Sequence, residues 1–323
     1  MSNCLVTGGA GFIGSHIVDQ LVKDGHTVTV VDHLEKTVHK GLRPDYLNPG
    51  AKYYFVRLCD FSIPRDTEYI FHCASKVGVV QSQKPFHDFV NKNINDTSWL
   101  LQDCLISRES GHANVKKIIH SGSMAPYGNG TFSFSDPIRE SFLYDFNLKP
   151  LSFYALTKKV QEEMIHFFGR THNIETVSLR YFSVYGSRQA LGNPYAGPIP
   201  IFIENAAQNR QLTIYDDGEQ TRDFVHVSDV VKANMLALGC DKPHQSYNIA
   251  TGIPTTINYL AKTICSLLKS KSKIDITNEH RSGDIRHSLA DIKKARDDLN
   301  FHPTVSLEEG LKETISWFKG EKE

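Results

Sequence analysis

The sequence predicts an α/β protein, a doubly wound parallel sheet with a smaller C-terminal α/β lobe. Three observations predict this class. In the first half of the chain, short apolar runs alternate with longer amphipathic segments, which is the pattern of parallel strands covered by helices. A glycine-rich turn follows the first of these runs, and an acidic residue ends the second. After Tyr181 the elements become shorter and less regular, which indicates that a second lobe begins there.

The predicted strands of the main sheet are short and apolar. In chain order they are NCLVTG, TVTVVD, KYYFVRL, YIFHCA, VKKIIHSG and TVSLRY. Residues 14–24, 89–107 and 152–170 have the pattern of covering helices. The later run SYNIAT is apolar enough to return to the same sheet. We therefore expect a first domain over residues 1–181 that also receives 246–251, and a second domain over residues 182–323. The C-terminal SLEEGLKETISWF predicts a helix capped by Ser306, with Glu309 three residues further on.

Composition argues against several kinds of partner. The 323 residues carry 36 Lys and Arg against 36 Asp and Glu, so there is no basic surplus for nucleic acid or an anionic membrane. The chain shows no leader-like start and no apolar run long enough to span a bilayer, and we expect a cytoplasmic protein. The six cysteines are scattered and expected to be reduced. The 15 histidines show no metal-ligand spacing, so no metal site is predicted.

The stretch TGGAGFIGSH places Gly8, Gly11 and Gly14 between the first strand and the first helix. Glycines there let the backbone approach a pyrophosphate, and the helix N-terminus offers amide donors and a favourable dipole. The second strand ends in Asp32, about 20 residues on, where a carboxylate can bind the ribose hydroxyls. These features predict a Rossmann domain that binds NAD rather than NADP, because the carboxylate would repel a 2′-phosphate. His33 weakens that preference, and a tight turn without any ligand is the alternative.

Further residues are expected to contact the cofactor. Asp60, after the third strand, is placed either to meet the adenine amino group or to cap a helix. The remaining cofactor residues of the prediction are Phe12, Ile13, Phe61, Ala74, Ser121, Tyr154, Lys158 and Tyr181.

The loop HSGSMAPYG follows a buried strand, at the end of the sheet where ligands bind. It carries Ser123, and further along the chain SFYALTKKVQEE places Tyr154 and Lys158 one helical turn apart. An ammonium beside a phenol favours the phenolate. A free tyrosine titrates near pH ~10, so a base active near neutrality needs roughly 4 kcal/mol of stabilisation, from Lys158 and an oxidised nicotinamide ring. An isolated Tyr/Lys pair at this spacing is more often a pair of surface residues without a catalytic role. This pair is a catalytic candidate because it follows the glycine turn and Ser123 in the same chain.

Together, the glycine turn, Ser123 and Tyr154-x-x-x-Lys158 resemble the extended short-chain dehydrogenase/reductase family of nucleotide-sugar epimerases and dehydratases. The segments LRYFSVYGSRQ, DDGEQTRDFVHVSDVVKA and RSGDIRHSLADIKKA also resemble motifs of that family, so the resemblance covers nearly the whole chain. It implies that Arg222 and Arg281 hold the diphosphate of a sugar nucleotide. It also implies that Asp284 contacts the ribose and Tyr215 the base. Ser183 stands where the family usually has Asn, which puts that diphosphate contact in doubt.

The same resemblance implies which reaction follows oxidation of the sugar. Family dehydratases carry an Asp-Glu pair just after the catalytic hydroxyl, and family decarboxylases carry a Glu nearby, whereas this chain has Met124 and Ala125. Neither side chain can exchange a proton, so elimination lacks its acid and base. Oxidation and reduction at one carbon remain, which indicates a 4-epimerase acting through Ser123, Tyr154 and Lys158.

The finer resemblance, carried by ASKVGVVQS, SMAPYGNG and RQALGNPYAG, is to dTDP-L-rhamnose 4-epimerases and UDP-glucose 4-epimerases. A dTDP- or UDP-hexose is therefore expected as substrate, with the dTDP-L-rhamnose type favoured. The alternatives are a UDP-glucose or UDP-N-acetylglucosamine 4-epimerase, a 4,6-dehydratase and a non-catalytic NAD-binding scaffold. The family also implies a homodimer formed through the helices of 89–107 and 152–170.

Overall fold

The computed structural model describes residues 1–79, 81–84, 86–128, 136–144, 150–190, 197–279 and 285–320. The strands within these residues are β1 (Asn3–Thr7), β2 (Thr27–Val31), β3 (Lys52–Tyr54), β4 (Tyr69–His72), β5 (Lys117–Ser123), β6 (Glu175–Tyr181), β7 (Ser183–Tyr185), β8 (Leu212–Ile214), β9 (Thr221–His226), β10 (Gln245–Ile249), β11 (Pro254–Thr256) and β12 (Ile274–Ile276).

The α-helices in the same part of the chain are α1 (Phe12–Lys23), α2 (Lys36–His39), α3 (Phe86–Phe89), α4 (Asp96–Glu109), α5 (Phe153–His172), α6 (Pro198–Ala207), α7 (Val227–Leu238), α8 (Ile257–Leu268), α9 (Lys293–Leu299) and α10 (Leu307–Phe318). A π-helical segment, Val90–Asn95, joins α3 to α4. Short 3₁₀ turns cover Leu58–Asp60, Gln81–Gln83, Ala125–Tyr127 and Glu140–Tyr144.

The main sheet is parallel throughout and has the order β10-β6-β5-β4-β1-β2-β3. Apolar side chains of α1 and α7 pack on one face, and those of α4 and α5 pack on the other. The doubly wound α/β class is thereby confirmed. The strand order reverses between β1 and β4, and a ligand crevice forms at the carboxyl ends of strands beside such a reversal. This topology brings the glycine turn after β1 next to the segments that follow β4 and β5.

The C-terminal part of the chain contributes to both lobes. β10 lies at the edge of the main sheet against β6, where residues 246–251 were expected to return. A smaller lobe contains the three-stranded sheet β11-β9-β7 and the pair β12-β8, packed against α6, α8 and α10. The capping box predicted for the last helix is confirmed, because the Ser306 hydroxyl accepts from the Glu309 amide and the Glu309 carboxylate accepts from the Ser306 amide.

Two elements differ from the sequence prediction. β3 stops at Tyr54 rather than continuing to Leu58, since only residues 52–54 of this edge strand pair with β2. The helix predicted over 89–107 is interrupted by the π-helical segment. That wider turn carries buried Asn93, whose side chain bonds the backbone nitrogen and oxygen of Lys76 after β4 and the hydroxyl of Thr157 on α5. The π segment therefore fixes the loop that follows β4.

A layer of buried histidines lies between the sheet and α5. His72 on β4, His120 on β5 and His166 on α5 are each bonded to hydroxyl groups of the surrounding elements. Burial lowers the pKa of His72 to about 3, that of His166 to about 4 and that of His120 well below its usual value. Outside this layer, burial also lowers the pKa of His16 to about 4. These rings are neutral at pH 7, so they pack without an uncompensated charge.

We expect the folded state to lose stability as the pH falls from 7 to 5. In that range the unfolded chain protonates these four histidines and the folded chain does not, so stability rises with pH. Each of these histidines then lowers the free energy of unfolding at pH 5 by about 2 kcal/mol relative to pH 7. The raised pKa values of Glu140 and Asp223 act in the opposite sense and offset part of the loss. Urea unfolding at both pH values measures the difference, and equal or greater stability at pH 5 would contradict this assignment.

Candidate active site

A cavity of about 270 Å³ lies at the carboxyl ends of the parallel strands. Eleven of the thirteen residues predicted to bind the cofactor line it, namely Gly8, Gly11, Phe12, Ile13, Gly14, Asp32, Ala74, Ser121, Tyr154, Lys158 and Tyr181. They come from both sides of the β1/β4 reversal, so the topology gathers residues that are far apart in sequence. A second cavity, of about 550 Å³, lies beside β10 and contains none of the predicted site residues.

The three glycines of the turn have different physical roles. Gly8 has a φ of +69°, a left-handed conformation that favours glycine. A Cβ at Gly14 would lie 2.3 Å from the carbonyl oxygen of Gly8, so this glycine permits close packing of α1 against the turn. A Cβ at Gly11 would meet only that same oxygen, at 3.3 Å. Gly11 precedes α1 at its N-terminus and lines the cavity, so its missing side chain leaves room for a phosphate at the helix dipole.

The acidic end of the cavity is centred on Asp32. Its carboxylate accepts hydrogen bonds from the amides of Ala10 at 3.0 Å and Leu34 at 2.8 Å, which tie the end of β2 to the glycine turn. Glu35 adds a second carboxylate, in contact with Lys92 and 3.3 Å from His33. These neighbours hold the pKa of Glu35 well below its usual range. A 2′-phosphate at the end of β2 would meet the carboxylate of Asp32, and the cationic side chain of Lys92 and the ring of His33 are engaged by Glu35, which favours NAD over NADP.

Two predicted cofactor residues do not line this cavity as the described residues form it. Asp60 is exposed at the end of a 3₁₀ turn, and the ring of Phe61 packs 5.3 Å from that of Tyr54. Asp96 lines the cavity instead, with its carboxylate 3.0 Å from Arg57. It lies at the start of α4, a position for which no sequence pattern predicted a cofactor contact.

Tyr154 and Lys158 line the cavity, and Ser123 follows two further lining residues, Ser121 and Gly122, at the end of β5. Ser152 caps α5 by accepting from the amide of Ala155, so Tyr154 lies in the first helical turn and Lys158 one turn later. A hydrogen bond links the side chains of Tyr154 and Ser123, and the Ser123 hydroxyl also accepts from the Ala125 amide at 3.1 Å. Strand β5 thus places a hydroxyl directly against the phenol.

The ionisation of the pair differs from the simple expectation that Lys158 acidifies Tyr154. Burial raises the pKa of Tyr154, and only the hydrogen bond to Ser123 opposes this shift. Burial also lowers the pKa of Lys158 to about 7, and its amine points to the Ser121 carbonyl at 2.7 Å. In the free protein Tyr154 is therefore a phenol. Bound NAD supplies a hydride acceptor and, through its cationic ring, the charge that favours a phenolate beside it.

The predicted substrate residues are only partly described. Ser183 on β7 pairs in register with Phe224 on β9, two residues from Arg222, so the two predicted diphosphate contacts lie on neighbouring strands. Tyr215 follows β8 and is 40% exposed. None of the three lines the cofactor cavity as described. Arg281, Asp284 and most of the RQALGNPYAG segment lie outside the described residues.

The loop after Ser123 forms a short 3₁₀ turn, Ala125–Tyr127. Ala125 is buried, and Met124 is half-buried against the apolar cluster around Tyr127 and Phe182. Neither position next to the catalytic hydroxyl carries a titratable group. Among the described residues, no three His, Cys, Asp or Glu side chains are grouped to hold a metal ion. In the same part of the chain, no helix has the length and apolarity needed to cross a membrane.

Similar proteins match this chain over nearly its whole length. The model of the NAD dependent epimerase/dehydratase family matches residues 4–250. A UDP-N-acetyl-alpha-D-glucosaminuronate decarboxylase of Bacillus cytotoxicus is 34% identical over 325 residues, which is 98% of this chain and 97% of that protein. A UDP-glucuronate 4-epimerase of Thermodesulfobacterium geofontis is 31% identical over 99% of this chain and 97% of that protein. The crystal structure of a Thermotoga maritima UDP-glucose 4-epimerase with UDP-glucose has a TM-score of 0.88 at 36% identity, covering 98% of this chain and 99% of that one.

The geometry of the glycine turn separates cofactor binding from folding. We expect Gly11→Ala to weaken NAD binding about tenfold or more with little loss of stability, because its Cβ would occupy ligand space. Gly14→Ala should instead lower the free energy of unfolding by about 1–3 kcal/mol through overpacking. Gly239→Ala is the matched control, since its Cβ would come no closer than 3.8 Å to a neighbour. NAD titration and urea unfolding measure the two effects, and wild-type affinity in Gly11→Ala would contradict the assignment.

Proposed function

The chain belongs to the NAD dependent epimerase/dehydratase family, and from that premise we propose that it inverts C4 of a UDP-linked hexose through a transient 4-ketosugar. One observation carries the proposal: Tyr154 bonds Ser123 at the inner end of the NAD cavity, while Met124 and Ala125 beside them offer no acid or base. UDP is favoured as the nucleotide because the three compared proteins are described as acting on or binding UDP-sugars.

Each side chain of the site has a separate role in the proposed reaction. Tyr154 takes the proton of the C4 hydroxyl and later returns it, while Ser123 holds the hydroxyl oxygen through its own hydrogen bond. Lys158 supplies positive charge one helical turn further along α5, in the same cavity. Inversion needs the ketosugar to present its other face, so the nucleotide must be held firmly and the sugar loosely. We assign the grip on the diphosphate to Arg222 and Arg281, with Ser183, Tyr215 and Asp284 as further contacts in residues 182–323.

Other reactions of the family need groups that these positions lack. A dehydratase or a decarboxylase requires an acid or base close to the sugar ring after oxidation. The similarity to a decarboxylase makes this distinction worth testing, since overall identity alone does not separate the two reactions. A catalytically inert scaffold is disfavoured because Ser123, Tyr154 and Lys158 are all present and lie together.

A second candidate substrate is dTDP-L-rhamnose. The 6-deoxy sugar carries a methyl group where glucose has a hydroxymethyl group, and the two residues that follow Ser123, Met124 and Ala125, are apolar. This sugar and the UDP-linked alternatives, UDP-glucose and UDP-N-acetylglucosamine, share the same chemistry at C4. Their discrimination depends on the part of the pocket that surrounds C2, C6 and the base.

We expect the purified protein, with no added cofactor, to invert C4 of at least one UDP-hexose. The panel contains UDP-glucose, UDP-N-acetylglucosamine, UDP-glucuronate and dTDP-L-rhamnose, and proton NMR of the sugar ring follows the products. Exclusive turnover of dTDP-L-rhamnose would favour the second candidate. A 4-keto-6-deoxy product would identify a dehydratase, release of CO₂ from a uronate would identify a decarboxylase, and turnover of no sugar would favour the scaffold.

Replacement of the proposed base should separate chemistry from binding. Tyr154→Phe removes only the phenol oxygen, so we expect kcat to fall by about 10²–10⁴ while NAD stays bound. Tyr259→Phe on α8 serves as the control, because Tyr259 is 59% exposed and does not line the cavity. Near wild-type kcat in Tyr154→Phe would remove this residue as the base.

We further propose that the protein is a homodimer formed by α4 and α5. Trp99 and Ile106 on α4 and Phe167 on α5 expose between half and two thirds of their surface, which is unusual for such large apolar side chains on neighbouring helices. Phe167→Glu should therefore shift the protein toward the monomer in sedimentation velocity. Ile253→Glu is the matched control, since Ile253 is equally exposed but lies in the other lobe. A monomeric wild-type protein would refute the proposal.

A further inference from the structure

The amine of Lys158 is surrounded by acceptors that belong to the protein. It donates to the backbone carbonyl of Ser121 at 2.7 Å and to the side-chain oxygen of Gln161, and it lies 3.2 Å from Nε2 of His120. Lys158 is 3% exposed and His120 is fully buried. An ammonium has three protons, so these three contacts can use all of them.

The hydrogen bonds around His120 decide which of its nitrogens carries the proton. The Ser178 hydroxyl donates to a carboxylate oxygen of Glu162 at 2.9 Å. That carboxylate is ion-paired with buried Arg180, which keeps its pKa low and makes it an acceptor only. Since a hydroxyl donates once, Ser178 must accept from Nδ1 of His120, 3.0 Å away. The neutral ring therefore carries its proton on Nδ1 and turns the lone pair of Nε2 toward Lys158.

The partners of Gln161 are consistent with this assignment. Its amide nitrogen donates to the hydroxyl of Thr97 at 2.8 Å, so its oxygen faces Lys158. Nε2 of His120 and the Gln161 oxygen are 3.1 Å apart because both accept from the same amine. If His120 instead carried its proton on Nε2, that proton would point to the Gln161 oxygen, and Lys158 would lose one acceptor.

We propose that His120 is a positioning residue for the epimerase reaction, which presents the Nε2 lone pair to Lys158 and so holds the ammonium group in place one helical turn from Tyr154. Ser178 and Glu162 fix the orientation and tautomer of His120, and they act on the reaction only through it. The inference rests on the proposed function for its catalytic meaning. The arrangement of protons itself is independent of the substrate.

Glu162, Ser178 and His120 together oppose the loss of the proton from buried Lys158, whose pKa is lowered to about 7 by burial. Burial opposes the charged form, and a neutral lone pair close to the ammonium offsets part of that cost. Other titratable groups near this amine, on the elements packed around it, are His72 and Cys73 at the end of β4, Tyr154, Glu162 and His166 on α5, and Tyr181 at the end of β6. Of these, the ionised carboxylate of Glu162 favours the charged form of Lys158, so His120 acts in addition to it.

The test measures the ionisation of Lys158 directly. The ¹³C shift of its Cε is followed against pH in lysine-labelled protein, and the signal is assigned by its absence in Lys158→Met. We expect His120→Phe to lower the pKa of Lys158 by about one unit or more, because a hydrogen bond to a charged group is lost. His166→Phe is the matched control, since His166 is a buried neutral histidine of the same layer without a hydrogen bond to Lys158. An equal Lys158 pKa in the two variants would overturn the proposal.

A second variant, with a smaller change in side-chain volume, tests the proposal if His120→Phe does not fold. Ser178→Ala removes the acceptor for Nδ1, so His120 can also carry its proton on Nε2. We expect a smaller fall in the pKa of Lys158, together with a change in the ¹⁵N shifts of His120 toward the Nε2–H tautomer. A wild-type protein that already shows the Nε2–H tautomer would overturn the assignment.

Kinetics then connect the arrangement to the reaction. In the variants the alkaline limb of the kcat profile should move to lower pH by the shift seen in the NMR titration. A shift by NMR without any turnover in the wild type would leave the proton arrangement intact and remove the proposed function. Turnover in the wild type with no NMR shift in the variants would leave the proposed function intact and overturn the proposed role of His120.

Discussion

A lysine ammonium buried behind a parallel sheet must find acceptors there or lose its proton, and this requirement shapes the site around Lys158. The backbone carbonyl of Ser121, Gln161 on the next turn of α5 and His120 on β5 surround the amine. Each of these partners is held by a further contact, so the position of the charge is defined before any ligand arrives. Tyr154 lies one turn earlier on the same helix and faces Ser123. The phenol and its supporting charge are therefore fixed by one helix and one strand.

Helix α5, which carries Tyr154 and Lys158, also packs against the segments that form the cofactor cavity. The reversal of strand order between β1 and β4 opens the crevice, and Gly8, Gly11 and Gly14 shape its phosphate end. Asn93, in the π-helical segment, ties the loop after β4 to α5 through Lys76 and Thr157. Movement of α5 would thus disturb both the base and the wall of the NAD cavity. In the proposed reaction, the freedom needed to invert C4 therefore comes from the loosely held sugar and not from movement of α5.

The sequence predicted those parts of the site that depend on local order along the chain. The glycine turn, Asp32 and the Tyr154/Lys158 pair are short-range patterns with fixed spacing, and the structure places all of them in one cavity. Asp96, Lys92 and His120 were missed because their roles come from partners on other elements, such as Arg57, Glu35 and Ser178. Asp60 is the opposite case, a residue that local order predicted to bind the cofactor because it follows a strand. In the structure it ends a 3₁₀ turn and is exposed. The helical spacing of Gln161 and Lys158 was a usable sign that the amine has a polar partner on its own helix.

In the proposed reaction, hydrogen leaves C4 as a hydride and returns to the same carbon without exchange with solvent, while Tyr154 transfers only the hydroxyl proton. The most direct measurement uses UDP-glucose, or whichever sugar is turned over, labelled with deuterium at C4 and incubated in ordinary water without added NAD. We expect the inverted product to retain its deuterium at C4. Replacement of that deuterium by hydrogen from water during turnover would show that C4 exchanges as a proton, and would contradict the mechanism.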